Sequence, residues 1–256
     1  MRYERVENQA GLTRNRVDQL VQRLRGSRSV LALTGAGISA ESGLPTFRGA
    51  GGLWRTHRVE ELASYEGFWG NPALVWSWYN ERKAAHRRAR PNAGHTALAQ
   101  LERRFGDFTL CTQNVDSLHF AAGSRNVLEL HGHLREARCT HCGARRELGE
   151  SGLPLDEIDH PCGGRMRPNI VWFGEPLPQA TWRQAEEAAS RAEVILVIGT
   201  SAVVYPAAAL ATRYNRSAYV AEINPEETAI SERIDCVLRG TAAEVLPKIV
   251  EALSPI

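Results

Sequence analysis

The chain has 256 residues, 43% of them apolar and 23% charged, and its 31 basic against 29 acidic residues leave a formal net charge of +2. That length supports one large domain, or one large and one small, and excludes a mini-protein dependent on disulfide staples. The near-neutral balance argues against direct nucleic-acid binding, because dedicated binders concentrate a large basic excess on one face. Only Lys83 and Lys248 among the basic residues are lysines, so nearly all the positive charge is guanidinium. Five cysteines are an odd number, better suited to metal or core positions in a reducing compartment than to disulfides. The opening MRYERVENQAGLTRNRV lacks the apolar core of a secretion signal, so a cytoplasmic location is expected.

Val17, Leu20, Val21 and Leu24 recur at helical spacing before Gly26, which predicts an amphipathic helix over 13–25. A buried strand is predicted at Ser29–Thr34, with similar apolar runs at 108–111, 127–130, 194–198 and 218–223. Helical patterns follow at 179–192 and 205–214, and a last one closes the chain at 242–253. Val194 to Thr212 carries no charge, but Gly199, Thr200, Ser201 and Pro206 interrupt it, so a strand, a turn and a helix start are predicted and no membrane span. Apolar strands alternating with helices predict an α/β fold with a doubly wound parallel sheet. Between Arg135 and Pro168 the pattern breaks into short pieces rich in Gly, Pro and Cys, read as a small inserted module over 135–168 that splits the large domain into 1–134 and 169–256.

Four motifs carry chemistry. After the first strand, Gly35, Gly37 and Ala40 match a G-x-G-x-x-A dinucleotide fingerprint, in which small residues let backbone N–H groups approach a pyrophosphate. The acidic ribose ligand usual about 20 residues further on is missing, and the chain continues into a second Gly-rich stretch, Gly49 to Trp54. At the end of the next strand, Thr112-Gln-Asn-Val-Asp-Ser-Leu-His119 places Gln113, Asn114 and Asp116 where open α/β sheets bind ligands. His131, again at a strand end, is a candidate general base near neutral pH. Finally, Cys139-Thr-His-Cys142 with Cys162 resembles a zinc ribbon lacking one cysteine. Asp159 or His160 can supply the fourth ligand, since zinc accepts carboxylate and imidazole as well as thiolate.

Together, GAGISAESGLPTFRG (Gly35 to Gly49), TQNVDSLH, His131-Gly132, the C-x-x-C pair, RPNIVWFGE (Arg167 to Glu175), GTS (Gly199 to Ser201) and INP (Ile223 to Pro225) resemble the sirtuins, the NAD-dependent protein deacylases, in the family's order. The resemblance implies a Rossmann-like large domain, with a small zinc-binding module whose helical part lies within 50–95, and a cleft where NAD and an acyl-lysine side chain of a protein meet. It implies a cofactor loop including Gly35, Ala36, Gly37, Ala40, Glu41, Thr46, Phe47, Arg48 and Trp54. It further assigns a ribose and nicotinamide pocket to Gln113, Asn114 and Asp116, and the adenosine half to Gly199, Thr200, Ser201, Asn224 and Ala242. His131 would take a proton from the ribose hydroxyls, with nicotinamide and 2′-O-acyl-ADP-ribose as products. Val171, Trp172, Phe173 and Gly174 would offer backbone to an extended substrate peptide.

One segment bears on the acyl group. Tyr79 and Arg82 are three apart on one predicted helix face, so a hydroxyl and a guanidinium can converge on one anion. Tyr-x-x-Arg preceded by a small residue, here Ala63, looks like the acyl-pocket signature of class III sirtuins, which remove malonyl, succinyl or glutaryl groups. The readings in competition are mono-ADP-ribosyl transfer at the same NAD site and a non-enzymatic zinc-ribbon binding module.

Overall fold

The computed structural model describes residues 15–47 and 58–254. Helix α1 (residues 15–26) leads into strand β1 (Ser29–Thr34). Helices α2 (Val59–Leu62), α3 (Tyr65–Gly70), α4 (Pro72–Arg88) and α5 (Ala93–Arg104) precede β2 (Asp107–Thr112), α6 (Leu118–Ala121) and β3 (Val127–Glu129). Next come β4 (Gly132–Cys139), β5 (Arg145–Glu147), β6 (Met166–Ile170), α7 (Gln179–Arg191), β7 (Val194–Ile198), β8 (Tyr219–Ile223), β9 (Cys236–Leu238) and α8 (Ala242–Leu253).

Six strands form a parallel sheet in the order β3-β2-β1-β7-β8-β9. This is the doubly wound Rossmann-like order, and the direction of winding reverses between β1 and β7. Both faces are covered, as the uninterrupted apolar runs require. Along β1, Val30 and Ala32 pack with Leu20, Leu24, Leu98 and Leu246 of α1, α5 and α8. The alternate residues Leu31 and Leu33 pack with Ala185, Ala189 and Leu210 on the other face. The alternation follows from the two-residue period of a strand.

A second, antiparallel sheet of order β5-β4-β6 is built by residues 132–170, reaching beyond the 135–168 segment at both ends. It shares a core with the helices α2 to α4, in which Phe68, Trp76, Leu134, Ile170 and Trp172 are buried together. Local signals start these helices. Asn71 accepts from the Leu74 amide ahead of Pro72 at the first helical position, and Asn92 with His95 forms a capping box for α5.

The segment 205–214 departs from the predicted helix. It holds only a short 3-10 turn, Ala207–Ala211, whose residues are all buried. Pro206 has no N–H to extend the ladder backward, while Asn215 and Tyr214 are bound to Ala192 and Glu186 of the neighbouring helix region. Tertiary contacts thus override the helix propensity of the alanines. Among the described residues no helix is long and apolar enough to cross a membrane.

Candidate active site

The carboxyl ends of β1 and β7 meet at the reversal of the sheet, and glycine makes the approach possible. The Gly35 amide donates to the Ile198 carbonyl at 3.0 Å and the Gly37 amide to the Gly199 carbonyl at 2.8 Å. A Cβ on Gly37 would lie 2.7 Å from the Gly199 Cα, and one on Gly35 2.7 Å from the Thr200 Cβ. Gly199 itself holds φ +56, a conformation that favours glycine. The first two fingerprint glycines therefore bind the neighbouring strand end with their amides instead of presenting them to a pyrophosphate. The element that follows is a 3-10 helix, Ala36–Ser42, and not an α-helix.

Side chains extend this junction across four strand ends. Gln113 after β2 donates to Thr200 Oγ1 at 3.0 Å, and Asn224 after β8 donates to the Thr200 carbonyl at 3.0 Å. Buried Asn114 donates to the Gly35 carbonyl at 3.0 Å and to Ser39 Oγ at 3.2 Å. Asp116 differs in placement from Gln113 and Asn114. Its carboxylate accepts from Ser39 Oγ at 2.7 Å and from the Leu118 amide at 2.9 Å, which holds it behind Ser39 and off the cavity wall. Burial pushes its pKa above the usual carboxylate value, against the lowering effect of those two hydrogen bonds.

A continuous cavity of about 470 Å³ runs from this junction to the helices of the second core, within the size range of small-molecule sites. At one end it is lined by Gly35, Ala36, Gly37, Ala40, Glu41, Thr46 and Phe47, and by Gly199, Thr200, Ser201, Asn224 and Ala242. Gln113, Asn114 and His131 follow, and Ala63, Tyr79, Arg82 and Val171 to Gly174 line the other end. Arg48 and Trp54 lie outside the described residues.

His131 Nδ1 sits 3.1 Å from the Gln113 carbonyl. A carbonyl only accepts, so Nδ1 carries a proton, and in the neutral ring Nε2 keeps a lone pair, the arrangement a base needs. Burial lowers the His131 pKa from the ordinary histidine value, against the raising effect of the Gln113 contact, and favours the neutral ring.

At the far end Tyr79 is buried, and its hydroxyl accepts from the Trp172 indole N–H at 2.9 Å. Burial, the largest influence, pushes its pKa up to about 12, so it stays protonated. The Arg82 guanidinium lies 4.8 Å from the Phe47 ring centroid and 4.7 Å from that of Trp78. It has no ion-pair partner among the described residues, and its buried Nε has no hydrogen-bond partner there.

The chain Val171–Glu175 is less open than a free edge strand. The amide of Val171 donates to the His131 carbonyl, that of Trp172 to Glu175 Oε2, and those of Phe173 and Glu175 to the Ala63 and Trp172 carbonyls. Only the Gly174 amide has no such partner among the described residues.

In the small module Cys139, Cys142, Cys162 and His160 place their ligand atoms within 4.8 Å of one another. The Cys139–Cys162, Cys142–His160 and His160–Cys162 separations are 3.5, 3.8 and 3.0 Å. Tetrahedral zinc with bonds of about 2.0–2.3 Å has ligand-to-ligand edges of roughly 3.5–3.8 Å; two of the three separations match these edges and the third is shorter, and the three thiols with one imidazole are the donor set of a Cys₃His zinc site. Asp159 is turned to Arg165 at 3.4 Å with its side chain 88% exposed and lies outside this group of four, whereas His160 belongs to it. Burial opposes the Cys139 thiolate, but the amides of Cys142 and His141 outweigh it and bring the thiol down to about 7, toward the ligating form.

A profile of the Sir2 family matches residues 35–206. The chain belongs to the Sir2 family. It is 51% identical over 229 residues to the NAD-dependent protein deacylase 2 of Pyrobaculum aerophilum, covering 89% of this chain and 92% of that one. The NAD-dependent protein deacylase of Methylococcus capsulatus is 46% identical over 247 residues, covering 92% and 96%. Among solved structures, a Sir2 homolog–NAD complex superposes with TM-score 0.86 at 46% identity, covering 92% of this chain and 93% of that one. Sir2Af2 bound to a myristoylated histone peptide superposes with TM-score 0.76 at 36% identity, covering 94% and 97%.

Proposed function

We propose that this Sir2-family chain is an NAD-dependent protein-lysine deacylase that removes acetyl groups and acidic acyl groups, malonyl or succinyl, from lysine. The observation that carries the reading is one cavity with a glycine-built strand junction at one end, a histidine bonded to the Gln113 carbonyl along it, and at the other, beside a phenol, a guanidinium with no ion-pair partner among the described residues. Names of relatives and the NAD complex of a homologue support the cofactor and the deacylase class.

The residues at the strand junction, Gly35 to Phe47 with Gly199, Thr200, Ser201, Asn224 and Ala242, would hold NAD, and Gln113 and Asn114 would face its ribose and nicotinamide. When bound, NAD supplies the ribose that receives the acyl group and the nicotinamide that departs. His131 accepts a ribose hydroxyl proton on Nε2 while Nδ1 remains bonded to Gln113. Asp116 acts through Ser39, which it fixes as the partner of Asn114. Cys139, Cys142, Cys162 and His160 would hold a structural zinc that ties β4 to the loop before β6 and so supports the cavity wall.

The acyl class follows from charge. A desolvated guanidinium without a carboxylate is costly, and a substrate carboxylate offsets that cost with charge-assisted bonds. Tyr79 adds a donor, and Ala63 leaves room for the chain. The same polar end disfavours a long apolar acyl group. A substrate peptide would lie against Val171–Glu175, with the Gly174 amide as its hydrogen-bond donor.

The test is steady-state turnover of one peptide in acetyl, malonyl and succinyl forms with NAD. Turnover of the acidic forms supports the reading. Turnover of the acetyl form alone refutes the acidic pocket, and label transfer from NAD to protein without any acyl peptide favours mono-ADP-ribosyl transfer.

A further inference from the structure

Trp172 is 2% exposed, and its indole packs against two groups. On one side the Arg167 guanidinium carbon is 3.5 Å from its ring centroid, and the Phe68 ring centroid is 5.3 Å away. Arg167, itself 3% exposed, is gripped by both carboxylate oxygens of Glu175 and also donates to the Ile170 carbonyl at 2.9 Å. Glu175 closes the clamp, because its Oε2 accepts the backbone N–H of Trp172 at 2.9 Å. The ring plane is therefore held by a cation stacked on it, and the backbone by the anion that orients that cation.

The indole N–H then has one assignment, donation to the Tyr79 hydroxyl at 2.9 Å. Indole nitrogen is a donor only, whereas a phenol both donates and accepts. With its oxygen accepting from the indole, Tyr79 has its own proton to donate, and Tyr79 lines the acyl end of the cavity. An acyl group that ends in an acceptor is rewarded there, and one that ends in a methyl leaves that donor unsatisfied.

We infer that Trp172 is a specificity-determining residue, which acts by fixing Tyr79 as a donor, and that Arg167 and Glu175 are positioning residues for it. The inference rests on the acidic-acyl reading of the same site. The effect is carried by the contacts of the three side chains of Trp172, Arg167 and Glu175. Arg82 supplies the charge for an acyl carboxylate, and Tyr79 the direction.

The experiment is a double-mutant cycle in the full chain, with Trp172→Phe, Tyr79→Phe and both, read as the succinyl-to-acetyl ratio of kcat/KM on one peptide. Loss of one directed hydrogen bond predicts a fall in that ratio of about three- to tenfold for Trp172→Phe, carried by KM. In the Tyr79→Phe background the same substitution is expected to add nothing. Arg167→Lys, which keeps the charge but loses the planar fork, is expected to give an intermediate ratio. Additive effects of Trp172→Phe and Tyr79→Phe overturn the inference and leave the acidic-acyl reading standing. Absence of succinyl turnover by the unmodified chain overturns both. Should Trp172→Phe fail to fold, NMR of the Tyr79→Phe chain decides. One of the six tryptophan indole protons is expected to move upfield, and unchanged indole resonances overturn the inference.

Discussion

Replacing Arg82 by Met separates what the guanidinium does for the substrate from what it does for the fold. Its charge is stacked between Phe47 and Trp78 and meets no carboxylate at ion-pair distance among the described residues. Burial lowers its pKa, and the nearby Tyr79 and Asp116 only partly counter this. Met keeps most of the apolar stem and removes the desolvated cation, so the free protein is expected to be unchanged or stabilised by up to about 2 kcal/mol. For a chain of this size that is a Tm rise of up to roughly 4–8 °C. Binding of an acidic acyl group loses a charge-assisted bond of about 1.5–3 kcal/mol, which is roughly a 10- to 150-fold fall in the succinyl-to-acetyl ratio of kcat/KM. The assay is paired: turnover of both peptides, and thermal unfolding without substrate. An unchanged ratio, or a Tm several degrees lower, refutes the argument, because either result makes Arg82 a structural cation.

Other outcomes follow from the same geometry. His131→Ala is expected to abolish turnover with Tm nearly unchanged, and the acidic limb of kcat should lie below the ordinary histidine value of about 6.5, because burial favours the neutral ring. A limb above that value contradicts the assigned environment. His86 and His119 are lowered to about 3 and His95 to about 4, in each case chiefly by burial. Their folded pKa values lie below the unfolded one, so their stabilisation is full above about pH 6.5 and is lost as pH falls, at up to about 1.4 kcal/mol per pH unit for each. Denaturant titrations between pH 7 and 4 measure that slope, and a flat profile contradicts it. His160→Ala is expected to lose bound zinc by elemental analysis while Asp159→Ala retains it, and the reverse result would exchange their roles.

The parallel sheet was legible because buried strands read as unbroken apolar runs, and β1 and β7 are each followed by glycine where the winding reverses. Residues three apart on a helix share a face, and Tyr79 and Arg82 both line the cavity. The fingerprint marks where glycine is needed but does not reveal what the amides of Gly35 and Gly37 bind. Spacing shows that a backbone approaches something closely, and the partner here is the end of β7. Spacing alone does not separate Asp159 from His160; the pairing of Asp159 with Arg165, which sets it apart from the Cys/His group, arises only when the chain before β6 folds back along the module. Likewise nothing near Trp172 in sequence announces Tyr79, 93 positions away. The helical starts at Asn71 and Asn92 did carry a signal, an Asn before Pro or before a capping-box partner, which periodicity alone passes over.

The most direct test of the central claim is the stoichiometry of products from NAD and one acyl-lysine peptide. Nicotinamide, free-lysine peptide and 2′-O-acyl-ADP-ribose are expected in equal amounts, from the succinyl as well as the acetyl form. Nicotinamide release that is independent of an acyl peptide, or deacylation that does not consume NAD, contradicts that claim.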